Sequence, residues 1–270
     1  MKSLSLILFL SLSGLLLSQK NYITLSSKEM IERRNADKAN NGIHPNAREI
    51  SKDSLSKLKA VLIIGGGFEG ASNNFIYDSI EKKLNQSGIK LTKVYPNIPL
   101  DSIYKKTKGA NILIYVGHGM EKGCLSMSNN HILQSDFKKL GLSKNHIVVL
   151  QHACYSAGSS ENDSEPIGID VAKKRVYNYS KGFIDNGALL YFATGSSGGT
   201  SRFLSLFLKG MSIEEITAAQ IDRNRRTVSN EKIIGGKYDM VVTSSPYGKG
   251  EIYSYAYVTL PSFKIYQLMK

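Results

Sequence analysis

The chain has 270 residues, 41% of them apolar, and a formal net charge of +13. That length and apolar share suffice for one sizeable core, so one main domain is expected. Outside the N-terminus no apolar run approaches the roughly 20 residues that span a bilayer, which excludes stable membrane insertion once a leader is removed. Lysine and arginine are dispersed, with no aromatic-interleaved basic stripe, so a solvated basic surface is expected and nucleic acid is not expected as a partner.

Lys2 followed by the apolar stretch Leu4–Leu17 and polar Ser18-Gln19-Lys20 has the form of a secretory signal peptide. The apolar stretch is shorter than a comfortable membrane span. Cleavage is expected near Gln19, giving a signal peptide over 1–19 and an exported protein, periplasmic or extracellular. Residues 20–57 are polar and charged and read as a leader or linker, with one helix expected over 26–38. The packed domain is expected to occupy 58–270.

From Leu58 onward strands and helices alternate. The continuous apolar runs Ala60–Ile64, Ile112–Val116, His146–Leu150 and Ala188–Ala193 suit strands covered on both faces, and Leu91–Tyr95 is a further short strand. Phe75, Ile76, Ile80 and Leu84 recur at helical spacing over 73–87. Residues 171–185 read as a helix, and 203–208 with 213–221 as a helical pair. Residues 252–258 alternate as in a strand. This order predicts an α/β domain built on a mainly parallel sheet.

In such sheets ligands gather at the carboxyl ends of the strands. Three loops stand there: Gly65-Gly66-Gly67, Gly117-His118-Gly119, and Ala153-Cys154-Tyr155-Ser156. A thiol acts as a nucleophile only as thiolate, and an imidazole beside it can generate that form. Small residues after Cys154 leave room for a substrate and for backbone N–H groups facing an oxyanion. The other cysteine, Cys124, leaves one disulfide as the alternative use of the pair; two cysteines are too few for a disulfide framework.

The segments Ile112–Gly119 (ILIYVGHG) and Ile147–Gly158 (IVVLQHACYSAG) resemble the two signature blocks of the clan CD cysteine peptidases, which include caspases, metacaspases, gingipains, legumains and CHAT domains. The resemblance extends through Gly182–Thr194 and Phe203–Ile216 and covers about 59–220. It implies a caspase-like three-layer α/β sandwich and a cysteine endopeptidase. In it Cys154 would be the nucleophile, His118 the general base, and the N–H groups of Gly119 and Cys154 the oxyanion hole. No third acid is implied. Two positions depart from the family pattern: His152 stands where an acidic residue is common, and Ala157 intervenes before Gly158.

Glu161, Asp163 and Glu165 follow Cys154 closely and form a candidate pocket favouring Arg or Lys in a substrate; Arg33-Arg34 and Arg225-Arg226 are compatible self-processing sites. A catalytically silent binding or scaffolding domain of the same fold is the alternative. A third reading comes from Gly65–Gly70 (GGGFEG), which fits a dinucleotide-binding loop. The acidic residue expected after the second strand is missing, where Val94-Tyr95-Pro96-Asn97 stands. His131 and His146 are isolated and no Cys or His spacing suits a zinc site. No cofactor and no metal are expected.

Overall fold

Strands β1 (Lys59–Ile64), β2 (Lys90–Val94) and β3 (Ile112–Val116) begin the central sheet of the computed structural model, which describes residues 50–220, 226–247 and 250–269. The apolar segment at 4–17, the expected helix over 26–38, Arg33-Arg34 and Arg225 lie outside the described residues. Next come a small three-stranded sheet of β4 (Gly119–Met120), β5 (Cys124–Ser126) and β6 (His131–Ile132), then β7 (His146–Gln151) and β8 (Ala188–Thr194). The chain closes on β9 (Arg226–Ile233), β10 (Tyr238–Tyr247) and β11 (Gly250–Thr259).

The eight strands of the large sheet lie in the order β2-β1-β3-β7-β8-β11-β10-β9. Pairing is parallel from β2 to β8 and antiparallel from β8 to β9. The central strands β1, β3 and β7 are buried almost throughout. That is why they read as unbroken apolar runs rather than alternating ones.

Helices cover both faces. They are α1 (Lys52–Leu55), α2 (Asn74–Gln86), α3 (Leu100–Thr107), α4 (Ile169–Ile184), α5 (Gly199–Phe207) and α6 (Ile213–Gln220). Alternate residues of each strand serve opposite layers. Leu62, Ile114 and Val149 pack with Ile80 and Leu84 of α2 and Phe203 and Phe207 of α5. Ile63, Tyr115 and Val148 pack with Ile103 of α3, Val176 and Tyr179 of α4 and Phe137 of the 3-10 helix Gln134–Leu140. The result is the three-layer α/β sandwich with a mainly parallel sheet that the caspase-like resemblance implies. Burying each such aliphatic side chain contributes about 2 kcal/mol.

One boundary differs from expectation. Leu55 of α1 is buried in the core, so packing begins one turn before Leu58. The C-terminal segment supplies three antiparallel strands, of which only β11 has clear apolar alternation.

Because β1 leads by α2 to β2 on one side, and β2 returns by α3 to β3 on the other, the sheet reverses direction between β1 and β3. The crevice outside the carboxyl ends at such a reversal is where open α/β sheets place ligands.

Candidate active site

His118 leaves β3 and Cys154 leaves β7, and these are adjacent parallel strands with Val116 opposite Gln151. The structure therefore brings both residues to one edge, at loops that start in register. The two loops touch through their backbones. A Cβ built on Gly119 would lie 2.5 Å from the Cys154 carbonyl oxygen and 2.9 Å from the Ala153 carbonyl carbon. Only glycine permits that approach. His118 is exposed and Cys154 is half-buried, while Cys124 is buried; both thiols are free. Burial pushes the Cys124 thiol up from its ordinary value.

The Ser126 N–H donates to the His118 carbonyl at 3.0 Å, which makes Gly119 and Leu125 a non-hydrogen-bonded pair in the small sheet. The Gly119 N–H therefore points away from β5. The Cys154 N–H makes no hydrogen bond among the described residues. Both N–H groups named for the oxyanion hole are thus unused by their own loops.

Three buried tyrosines fix these loops from below. Tyr115 Oη shares its one proton between the carbonyls of His118 at 2.7 Å and Ser126 at 2.8 Å. Tyr179 Oη shares its one proton between the carbonyls of Met120 at 2.6 Å and Cys124 at 3.1 Å. Tyr191 Oη donates to Ser156 at 2.8 Å. Burial raises the pKa of all three, so they remain protonated donors. Ser156 itself donates to the Ala153 carbonyl at 2.5 Å. The sequence reading missed these tyrosines: within apolar strands they pass as further bulky residues. A hydroxyl in such a run is nevertheless a signal, because a buried one needs a partner.

The Cys154 loop has a second anchor. Arg175 of α4 forms a bidentate pair with Asp163 at 2.7 and 2.9 Å, donates to the Gly158 carbonyl at 3.0 Å, and lies 4.6 Å over the Tyr155 ring. Asp163 also accepts from the Ser160 N–H at 2.8 Å. Of the three acidic residues expected in a substrate pocket, Asp163 is thus committed to holding the loop. Glu165 is exposed, and Glu161 Oε1 lies 4.0 Å from His118 Nδ1.

His152 adopts φ +60 and donates its N–H to Thr194, a turn role. Burial holds its imidazole below the ordinary range. Phe68, also missed from sequence, stacks on His152 at 5.5 Å and meets His118 edge-on at 4.9 Å. Tyr77 Oη donates to the Phe68 carbonyl and so ties this ring to α2.

The glycine loop after β1 borders the same cleft. Its Gly65 packs against Gly117, whose Cβ would lie 2.6 Å from the Gly65 Cα. The glycines are accounted for by this approach of two backbones. The loop also runs through a 3-10 turn, Ala71–Asn73, before α2 begins, rather than opening directly into the helix as a pyrophosphate-binding loop does. Among the described residues no group of three or more His, Cys, Asp or Glu is placed to hold a metal ion.

No family model and no curated protein matches the chain. Among solved structures it is similar to the Arg-specific cysteine proteinase gingipain R (RgpB), with 15% identity and a TM-score of 0.39. The match covers 82% of this chain and 64% of that one, so the chain spans less than two thirds of the gingipain length. At this similarity the likeness assigns no role to any residue here.

Proposed function

We propose that the protein is an exported cysteine endopeptidase in which Cys154 and His118 carry the chemistry. One observation supports this most directly: the His118 and Cys154 loops leave adjacent parallel strands and meet at Gly119, with the N–H groups of Gly119 and Cys154 unused by their own loops. The Cys154 sulfur attacks the scissile carbonyl while His118 takes the thiol proton. The oxyanion accepts from the N–H groups of Gly119 and Cys154. His118 returns the proton to the leaving amine, and water then hydrolyses the thioacyl-enzyme with His118 again as base. Exposed Glu161, 4.0 Å from His118, and Glu165, in the segment that follows Cys154, favour Arg or Lys in the substrate.

Thiol labelling tests the proposal. Iodoacetamide should alkylate Cys154 at least tenfold faster than buried Cys124, and His118→Ala should slow the Cys154 reaction at least tenfold while leaving Cys124 unchanged. Digestion of a diverse peptide mixture by wild type, with Cys154→Ala as control, should give cleavage after basic residues. Equal, slow labelling of both thiols and no cleavage would leave the silent binding or scaffolding domain as the reading. An exclusive preference for Asp would remove the acidic pocket and keep the peptidase.

A further inference from the structure

The opposite edge of the sheet has a different character. Lys90 and Lys59 are the first residues of β2 and β1, and Lys108 and Lys144 stand in the short loops that lead into β3 and β7. Lys105 and Lys138 lie in the last turns of α3 and the 3-10 helix Gln134–Leu140. Those two elements are joined where Thr107 Oγ1 donates to the Leu140 carbonyl at 2.7 Å, and their loops where the Gly109 N–H donates to Gly141 at 2.8 Å. All six lysines are exposed, and none has an ion-pair partner among the described residues. Nearby carboxylates are largely used: Asp136 pairs with Lys139 at 2.9 Å and Asp185 pairs with Lys181, leaving exposed Asp53 of α1.

Complementing helix C-termini accounts for lysines in a last turn, so it covers Lys105 and Lys138 but not the four at strand entrances. The carboxyl edge, by contrast, is mixed: exposed Glu69, Glu121, Glu161 and Glu165 offset Lys122 and Arg202. The charge is therefore polarised along the strands.

A second feature lies within the basic edge. A cavity of about 200 Å³ opens between Lys138, Asn186, Leu142, Phe137, Phe183 and His146. That is several times the ~30 Å³ that one water occupies in the liquid. His146 is only 1% exposed; its Nδ1 meets the Ser143 carbonyl at 2.7 Å and its Nε2 has no partner. The cavity thus joins a cationic rim to an unsatisfied polar wall.

We infer that this amino edge docks the protein on an anionic phospholipid surface, with one headgroup seated at the Lys138 cavity and the Cys154 edge turned toward solvent. The chemistry favours lipid over nucleic acid. The six cations are all lysines acting as point charges, and the loops and helix turns that carry them hold no arginine for bidentate phosphate recognition and no exposed aromatic for base stacking. A lysine near an anionic bilayer raises partition about fivefold. The surface is made of loops and strand ends, so docking is peripheral.

The test uses the full chain with vesicles of phosphatidylcholine alone and with about one third phosphatidylglycerol, read by acetylation of lysines and mass spectrometry. Comparing the two vesicle types cancels any contribution of the apolar segment at 4–17 that is common to both. On anionic vesicles Lys105, Lys108, Lys138 and Lys144 should acetylate at least fivefold more slowly than on neutral ones, with Lys122 unchanged. The quadruple change of those four lysines to Gln, checked for folding by circular dichroism, should lower the anionic-over-neutral partition ratio several-hundredfold. Equal acetylation on both vesicle types would overturn the inference. Protection by a DNA duplex without protection by anionic vesicles would overturn it in favour of nucleic acid.

Discussion

His146 provides a pH-dependent stability term that can be worked from its surroundings. Its imidazole lies beneath the basic edge, 1% exposed, and burial pushes its pKa from 6.5 to about 4. The Nδ1–H donating to Ser143 only partly opposes that shift. In the unfolded chain the ring takes up a proton near pH 6.5; in the folded chain it does so near pH 4. Between those values the unfolded state binds more protons, so stability falls as the pH is lowered through this window and the loss saturates below it. At 1.36 kcal/mol per pKa unit the full loss is about 3 kcal/mol. His146→Asn places an amide donor near the position of Nδ1–H and removes the titration. Urea unfolding of both proteins at intervals from pH 7.5 to 4 gives a difference curve in which carboxylate titrations common to both cancel. That curve should be flat above pH 7 and fall by about 3 kcal/mol for wild type relative to the variant by pH 4. A flat difference throughout would show that the ring is hydrated or already protonated in the fold, and would refute the burial argument.

Other substitutions report on the site. Arg175→Met leaves the Asp163 carboxylate and the Gly158 carbonyl without their partner at a largely buried ion pair. It should cost about 3 kcal/mol, read as a lowered urea midpoint, with loss of fast Cys154 labelling. Gly119→Ala puts a Cβ 2.5 Å from both the Cys154 carbonyl oxygen and Tyr179 Oη. It should destabilise by about 1–3 kcal/mol and slow Cys154 labelling at least tenfold, because backbone must move. Glu161→Gln removes a charge 4.0 Å from His118 in a pair about half exposed on each side. An exposed pair contributes at most about 1 kcal/mol, so Cys154 labelling should change less than about fivefold, while cleavage after Arg or Lys should fall more.

Legibility in the sequence followed burial. Strands β1, β3, β7 and β8 are covered on both faces, so their apolar runs are continuous and their carboxyl ends, with His118 and Cys154, can be read off the chain. Strands β9 and β10 carry runs such as Arg226–Ile233 (RTVSNEKI), whose place is set by successive antiparallel pairings, β9 on β10 and β10 on β11, rather than by their own pattern. β4, β5 and β6 are two or three residues long, too short for any period to register. The acidic run after Cys154 was legible as charge but not as structure. Whether Asp163 faces a substrate or the protein depends on Arg175, twelve positions on and brought back by α4.

The same distinction explains why the glycines invited two readings. Gly65–Gly70 is spaced as a phosphate-binding loop would require, while Gly117 and Gly119 flank His118 as a tight turn would, and the spacing alone does not choose. The contacts do. A Cβ at Gly65 would meet Tyr115 Oη at 2.4 Å, one at Gly117 the Gly65 Cα at 2.6 Å, and one at Gly119 the Cys154 carbonyl oxygen at 2.5 Å. These three glycines let the loops after β1, β3 and β7 close on one another, while Tyr115 and Tyr179 hold the carbonyls that result. A thiol and an imidazole need neighbouring loops whose positions are fixed before substrate arrives, and that is what the close approach supplies.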